Sequence, residues 1–220
     1  MILQTFALLK LKNNAMNVFI INGGQVFGHA GGKFNRSLNR WLTDFLLKKG
    51  IQFKNTDINN DFDADTEVDN FKWADLVIYH FPIWWFQVPN RLKKYIDEVF
   101  SAGHNNGIYA SDGRSRVNPD INYGTGGLMQ GKQYMVLTTW NAPETAFTLP
   151  GEFFEKRSVD EGVLFPFHKM NQFVGMHRLA GIHFHDLEKN VTNERVENYK
   201  RLFDNFLKRT FAKEGMTVCN

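Results

Sequence analysis

The chain alternates unbroken apolar runs with amphipathic stretches. Residues 17–22, Asn-Val-Phe-Ile-Ile-Asn, have the pattern of a strand covered on both faces, and they lead through a glycine-rich loop into a helix that has begun by Ser37. Leu38, Trp41, Leu42, Phe45 and Leu46 then recur at i, i+3, i+4, i+7 and i+8, one buried helical face, which Gly50 stops after Lys48 and Lys49. Residues 51–56 predict a second strand, and the run Ala-Asp-Leu-Val-Ile-Tyr-His-Phe at 74–81 predicts a third and central one. Pro89, placed at a first helical position, opens another helix with Leu92, Tyr95, Ile96, Val99 and Phe100 inward. Residues 133–140 and 180–185 predict the fourth and fifth strands. A closing helix over 193–209 turns Val196, Tyr199, Phe203, Phe206 and Leu207 inward, and its acidic start (Glu194, Glu197) and basic end (Lys208, Arg209) match the helix dipole.

Strands joined by helices through right-handed crossovers give an α/β fold, a doubly wound parallel sheet whose ligands lie beyond the carboxyl ends of its strands. Three loops arrive there: the first carries His29 and residues 31–37, the second Pro82, Ile83, Trp84, Trp85 and Phe86, the third Thr139, Trp140, Asn141 and Ala142. A strand that delivers a glycine-rich turn to a helix N-terminus aims several unpaired N–H groups at one point, which suits the phosphate of a nucleotide cofactor. No GxxxxGK[ST] is present, and Gly23, Gly24, Gly28, Gly31 and Gly32 do not fit GxGxxG, which leaves a turn of the flavodoxin-like kind. Two tryptophans and a phenylalanine just past a central strand offer broad apolar faces to a flat ring, and a flavin fits; the competing reading is ordinary core or dimer-contact aromatics. Residues 101–132, rich in Gly, Asn and Ser, read as an insertion too polar for a core and are expected to be a lid or a dimer arm.

Length and composition narrow the class. The 220 residues suit one domain, expected over 16–213, between an unassigned extension at 1–15 and a tail at 214–220. An aromatic content of 15%, with 21 Phe and 5 Trp, favours a deep apolar pocket or a large interface. The net charge of +3 comes without a basic block, so nucleic acid is not implied. One cysteine, Cys219, excludes an internal disulfide and fits a reducing, cytoplasmic setting. The apolar stretch 2–11 is too short to span a bilayer, and its lysines follow it, the reverse of a signal peptide, so neither export nor membrane insertion is expected.

Other chemistry is thinly supported. His183 and His185 stand at strand spacing with Asp186 beside them, but no third ligand is suitably spaced and no metal is expected. Ser37, Ser111 and Ser115 lack a GxSxG context, which removes serine hydrolases. His29 reads equally as a cofactor contact or as a loop-closing residue. His168 reads equally as facing substrate or as packing.

Several segments in order resemble the bacterial modulator of drug activity B family of NADPH:quinone reductases: NVFIING (17–23), WADLVIYHFPIWW (73–85), KKYIDEVF (93–100), IYASDGR (108–114), YGTGGL (123–128), TWNAP (139–143) and PFHKMNQFVGM (166–176). The resemblance runs over roughly 16–211. It implies a flavodoxin-like homodimer with strand order 2-1-3-4-5 that binds FAD and passes a hydride from NADPH through the flavin to a quinone. The kinetics would be ping-pong, and the two-electron step would protect against semiquinones and oxidative stress. Carried over by position, the FAD phosphate and ribityl contacts fall on His29, Gly31, Gly32, Phe34, Asn35 and Ser37. The isoalloxazine lies against Pro82, Ile83, Trp84, Trp85 and Phe86, with Thr139, Trp140, Asn141 and Ala142 at its other edge and Tyr123 reaching in from the long loop. Tyr123 and His168 are the candidate proton donors by residue type. The chain has Ala30-Gly31 where a Ser-Asn pair is common in the family, and Ile83 where Gly is common. The alternative is a flavoprotein without turnover, such as an ancillary subunit of a potassium efflux system.

Overall fold

The computed structural model describes residues 16–28, 31–189 and 191–212, so the extension at 1–15, the tail at 214–220 and His29 lie outside the described residues. In chain order the elements are β1 (Asn17–Asn22), α1 (Lys33–Lys49), β2 (Gln52–Asp57), α2 (Ala64–Trp73), β3 (Leu76–Pro82), α3 (Asn90–Ala102), β4 (Gln133–Thr139), α4 (Thr145–Thr148), α5 (Phe165–Phe173), β5 (His177–Arg178), β6 (Ile182–Phe184) and α6 (Asn193–Thr210). All strand pairs are parallel, in the order β2-β1-β3-β4-β5, with β6 also paired to β4. The expected order therefore holds. No described helix is long and apolar enough to cross a membrane.

The apolar runs of β1, β3 and β4 follow from burial on two sides. Because successive side chains alternate across a strand, Val18, Ile20, Leu76, Ile78, Met135 and Leu137 pack with Leu38, Leu42 and Leu46 of α1 and with Phe203 and Leu207 of α6. Phe19, Ile21, Val77, Tyr79 and Val136 pack on the other side with Val68 of α2, Leu92, Tyr95 and Val99 of α3 and Phe167 of α5. Burying each such side chain contributes roughly 1.5–3 kcal/mol, so the sheet is a rigid platform for the loops at its carboxyl edge.

Three expectations are corrected. The fifth strand is two short pieces, because the partners of β4 shift by one residue between Tyr134–Arg178 and Leu137–Ile182. At that extra residue only glycine fits: a Cβ on Gly181 would lie 2.3 Å from the Val136 carbonyl oxygen. Pro89 flanks α3 as its cap residue, with an extended ψ of 145°, and the first helical residue is Asn90. The segment 101–132 is not too polar for a core: Ile108 and Met129 are fully buried, and its two limbs bond to each other (Leu128 N–H to Ile108 O, Ala110 N–H to Gly126 O). Its middle, with Val117 and Tyr123, is what stands out into solvent.

Candidate functional site

The three loops meet. The Gly23 amide donates to the His80 carbonyl at 2.8 Å, and the Gly24 amide to Asn22 Oδ1 at 3.0 Å, so the chain leaves β1 as a tight extended loop. A Cβ on Gly24 would stand 2.7 Å from Asn35 Cβ; its absence lets the first turn of α1 lie against that loop. Gly32 enters α1 at φ 63°, and the helix has no side-chain cap and no acidic residue in its first turn. The first amides therefore point outward with the positive end of the helix dipole, flanked by Lys33 and Arg36. Asn35 is buried and donates from Nδ2 to Thr139 Oγ1 at 3.0 Å, linking this loop to the end of β4. Its Oδ1, like Gln25 Oε1, is buried without a hydrogen-bond partner among the described residues. Acceptors of that kind ask for a donor that a ligand can bring.

Other predicted residues of this loop have local tasks. The Ser37 hydroxyl donates to the Lys33 carbonyl within α1. Phe34 packs edge-on against Trp41 and Tyr199 and against Phe184, which fixes the helix entry. Gly31 is exposed with open space around it.

The second loop is strained and rigid. Trp84 and Gln87 exchange both backbone hydrogen bonds, at 3.0 and 2.9 Å, around Trp85 (φ 48°) and Phe86 (φ 60°), the geometry of a type I′ turn. Bulky residues rarely take positive φ, and each such residue costs about 1–3 kcal/mol. The turn is held from both sides: the Ile83 amide donates to the Thr139 carbonyl at 2.9 Å, and Trp84 packs on Phe27 of the first loop at 5.3 Å. Trp85 is left 92% exposed. Phe86 stacks on Phe153 at 5.5 Å and meets Phe154 edge-on at 5.7 Å.

Behind this turn lies an apolar cavity of about 570 Å3. Ile83 and Phe86 form one wall, Phe100 of α3 and Met170 and Phe173 of α5 another, and Tyr123 and Lys169 lie at its border. Tyr123, the predicted contributor from the long segment, thus faces the same space as Ile83 and Phe86, whereas Trp84 and Trp85 do not line it.

Trp140 and His168 do not. Trp140 is buried; its indole donates to Thr138 Oγ1 at 2.6 Å and packs among Phe147, Phe154 and His185. Its backbone is taken up as well, since its amide donates to the Phe184 carbonyl and its carbonyl accepts from the Leu187 amide. Asn141 is exposed at the loop tip, and Ala142 O accepts from the Asp186 amide. Both ring nitrogens of His168 are engaged, with the Tyr134 hydroxyl at 2.9 Å and Asp160 at 2.9 Å, on the side of α5 away from the cavity. His183 likewise reaches Thr138 Oγ1 and Asp160, and the described residues contain no cluster of three or more potential metal ligands.

The sequence reading missed the Phe153–Phe154 edge, although two adjacent phenylalanines in an otherwise polar stretch were visible. It also missed a shallow second hollow at the start of α6, lined by Thr192, Glu194, Arg195, Asn198 and Tyr199, which touches the first turn of α1 through Phe34. Arg195 pairs with Asp186 at 3.4 Å and lies over the Tyr199 ring.

Residues 16–207 match the model of the flavodoxin-like fold family. The chain is 43% identical to NADPH:quinone oxidoreductase MdaB of Haemophilus influenzae over 90% of its own length and all of that protein. It is 46% identical to an uncharacterised protein of Schizosaccharomyces pombe over 80% of this chain and 88% of that one. Among solved structures, general stress protein 14 of Treponema denticola in complex with FMN superposes with a TM-score of 0.60 at 20% identity, covering 88% of this chain and 98% of that one.

Proposed function

This chain belongs to the flavodoxin-like fold family, and on that premise we propose that it is an FAD-dependent oxidoreductase that uses NADPH to reduce quinones by two electrons. The observation that carries the reading is one junction: a helix N-terminus and two buried amide oxygens, uncapped and unpartnered among the described residues, meet a strained aromatic turn that backs an apolar cavity. The 43% identity to a quinone reductase over that protein's whole length supports it.

The residues present suit a flavin. The first amides of α1 would hold the phosphate, while Asn35 Oδ1 and Gln25 Oε1 would accept from ribityl hydroxyls. Pro82, Ile83, Trp84, Trp85 and Phe86 would bound the ring on one side, with Thr139, Asn141 and Ala142 along its edge. A bound flavin supplies the two-electron carrier that no side chain provides. The protein's part is to orient. The apolar cavity would receive nicotinamide and quinone in turn against one wall, and the Tyr123 hydroxyl at its border is the proton donor we assign to the reduced quinone oxygen. Because both substrates use one cavity, NADP+ must leave before the quinone enters, and ping-pong kinetics result. The hollow beside Phe34, Arg195 and Tyr199 offers a place for an adenylate, which favours FAD over FMN.

Purified protein is expected to be yellow, to release FAD on acid extraction, and to oxidise NADPH only when menadione is added. FMN as the sole extracted flavin would overturn the cofactor, and protein that stays colourless after reconstitution would sink the flavin reading. A yellow protein inactive with NADPH and menadione would favour a regulatory flavoprotein. The exposed Tyr123 of the cavity, with the exposed Trp85 of the turn and Phe153 stacked on Phe86, further supports a homodimer that completes each site across a two-fold interface. Specific activity should then fall on dilution in step with dimer content by light scattering, and a fully active monomer would exclude shared sites.

A further inference from the structure

The loop between α4 and α5, residues 149–164, buries Val159 and Leu164 in the core and makes specific contacts at two places. At its front, Phe154 stacks on Phe147 at 3.9 Å, and Phe153 and Phe154 both meet Phe86 at the cavity wall. At its rear is one carboxylate. Asp160 Oδ1 accepts from His168 Nε2 of α5 at 2.9 Å and lies 3.5 Å from His183 Nε2 of β6 and 3.6 Å from Arg178 of β5. Those partners are themselves tied to β4: the Tyr134 hydroxyl meets His168 Nδ1 at 2.9 Å, and the Thr138 hydroxyl meets His183 Nδ1 at 2.7 Å. Between the two fastenings residues 155–158 are exposed, and Glu155 and Lys156 sit at φ 50° and 63°.

We propose that Asp160 is a positioning residue: its contacts with His168, Arg178 and His183 hold the 149–164 loop in register, and with it the Phe153–Phe154 pair that packs on Phe86 of the cavity wall. Three features separate this from a surface ion pair, which is usually worth little. The carboxylate is partly buried. The contacts come from separate elements, and His168 and His183 are each also held at Nδ1, by the Tyr134 and Thr138 hydroxyls. And burial, which alone would raise the Asp160 carboxyl, is outweighed by the hydrogen bonds and charge of His168 and His183, which hold it well below the usual carboxylate range. Burial of Val159 and Leu164 anchors the rear of the loop without direction; the carboxylate facing α5, β5 and β6 adds directional contacts beside that anchor.

The kinetic consequence rests on the reading of the cavity as a substrate pocket, but the structural one does not. Trypsin cleaves after Lys156 and Arg157, which lie between the fastenings, and native cleavage there reports loop opening. Asp160→Asn is expected to raise cleavage at those two bonds on the order of tenfold while the urea midpoint of the whole chain moves little, and Asp160→Glu should recover part of the protection. With menadione, KM should rise more than kcat falls, the pattern of a loosened pocket. Unchanged cleavage in Asp160→Asn would overturn the proposal. Faster cleavage with an unchanged menadione KM in a protein active on menadione would refute the link to the cavity, whereas faster cleavage in a protein inactive on menadione would support the clamp while counting against the quinone reductase reading. Should Asp160→Asn fail to fold, His183→Gln removes one arm of the network and must show the same cleavage change.

Discussion

Replacing Trp85 with glycine should leave the chain at least as stable as before and weaken flavin retention by about 1–3 kcal/mol, roughly 5- to 150-fold. The two halves of this expectation have separate causes. Trp85 is 92% exposed, so its removal forfeits almost no burial within the chain. It also sits at φ 48°, where a Cβ is penalised and glycine is not, so the substitution relieves backbone strain of about 1 kcal/mol. Trp85→Ala removes the ring but keeps the strained backbone, and the difference between the two variants isolates that strain. A type I′ turn that spends such strain to expose an indole makes physical sense only if the ring or the turn's outward amides meet something. Urea unfolding of the flavin-free protein and fluorescence titration with FAD measure the two quantities. A destabilised Trp85→Gly would mean that the turn is held by packing of the indole, and unchanged FAD affinity would remove Trp85 from the site.

How much was legible in the sequence depended on whether the relevant signal was local. β1, β3 and β4 were readable because burial on both faces leaves an unbroken apolar run, and α1 and α3 because their inward residues keep the helical period. The break between β5 and β6 was not, because it arises from a one-residue shift against β4 and the close approach of Gly181 to Val136, a contact across strands. The side on which the Trp140 ring packs was also readable. Met135 and Leu137 share a face with Thr139, which meets Asn35, so strand alternation sends Thr138 and Trp140 to the opposite side. His168 could not have been placed this way, since its partner Asp160 belongs to a loop whose course no periodicity foretells. The same alternation puts His80 with Leu76 and Ile78 beneath α1, where an apolar residue would be the expectation.

That histidine should make the fold acid-labile. His80 is fully buried, with Nε2 donating to Asn39 Oδ1 at 3.0 Å, and burial disfavours its charged form so strongly that it is pushed down to about 3. In the unfolded chain a histidine titrates near 6.5, so between those values the unfolded state binds the additional proton. Stability contributed by neutral His80 is therefore fully present above pH about 6.5 and is lost by up to roughly 1.4 kcal/mol per unit as pH falls, on the order of 5 kcal/mol by pH about 3. Such a loss is comparable to the whole stability of many domains. His185, also lowered by burial, works in the same direction, whereas the depressed carboxyl of Asp160 adds its share only as pH drops below the ordinary carboxylate range. The His80 carbonyl receives the Gly23 amide, so the strand end that loosens first on protonation is the base of the proposed phosphate loop, and flavin release should accompany the loss of stability. His80→Leu is expected to flatten the dependence of urea-derived stability on pH between about 6.5 and 4 by close to one proton's slope, leaving the part due to His185. A variant with the same slope as the original chain would show that His80 carries its proton within the fold and that the acid response originates elsewhere.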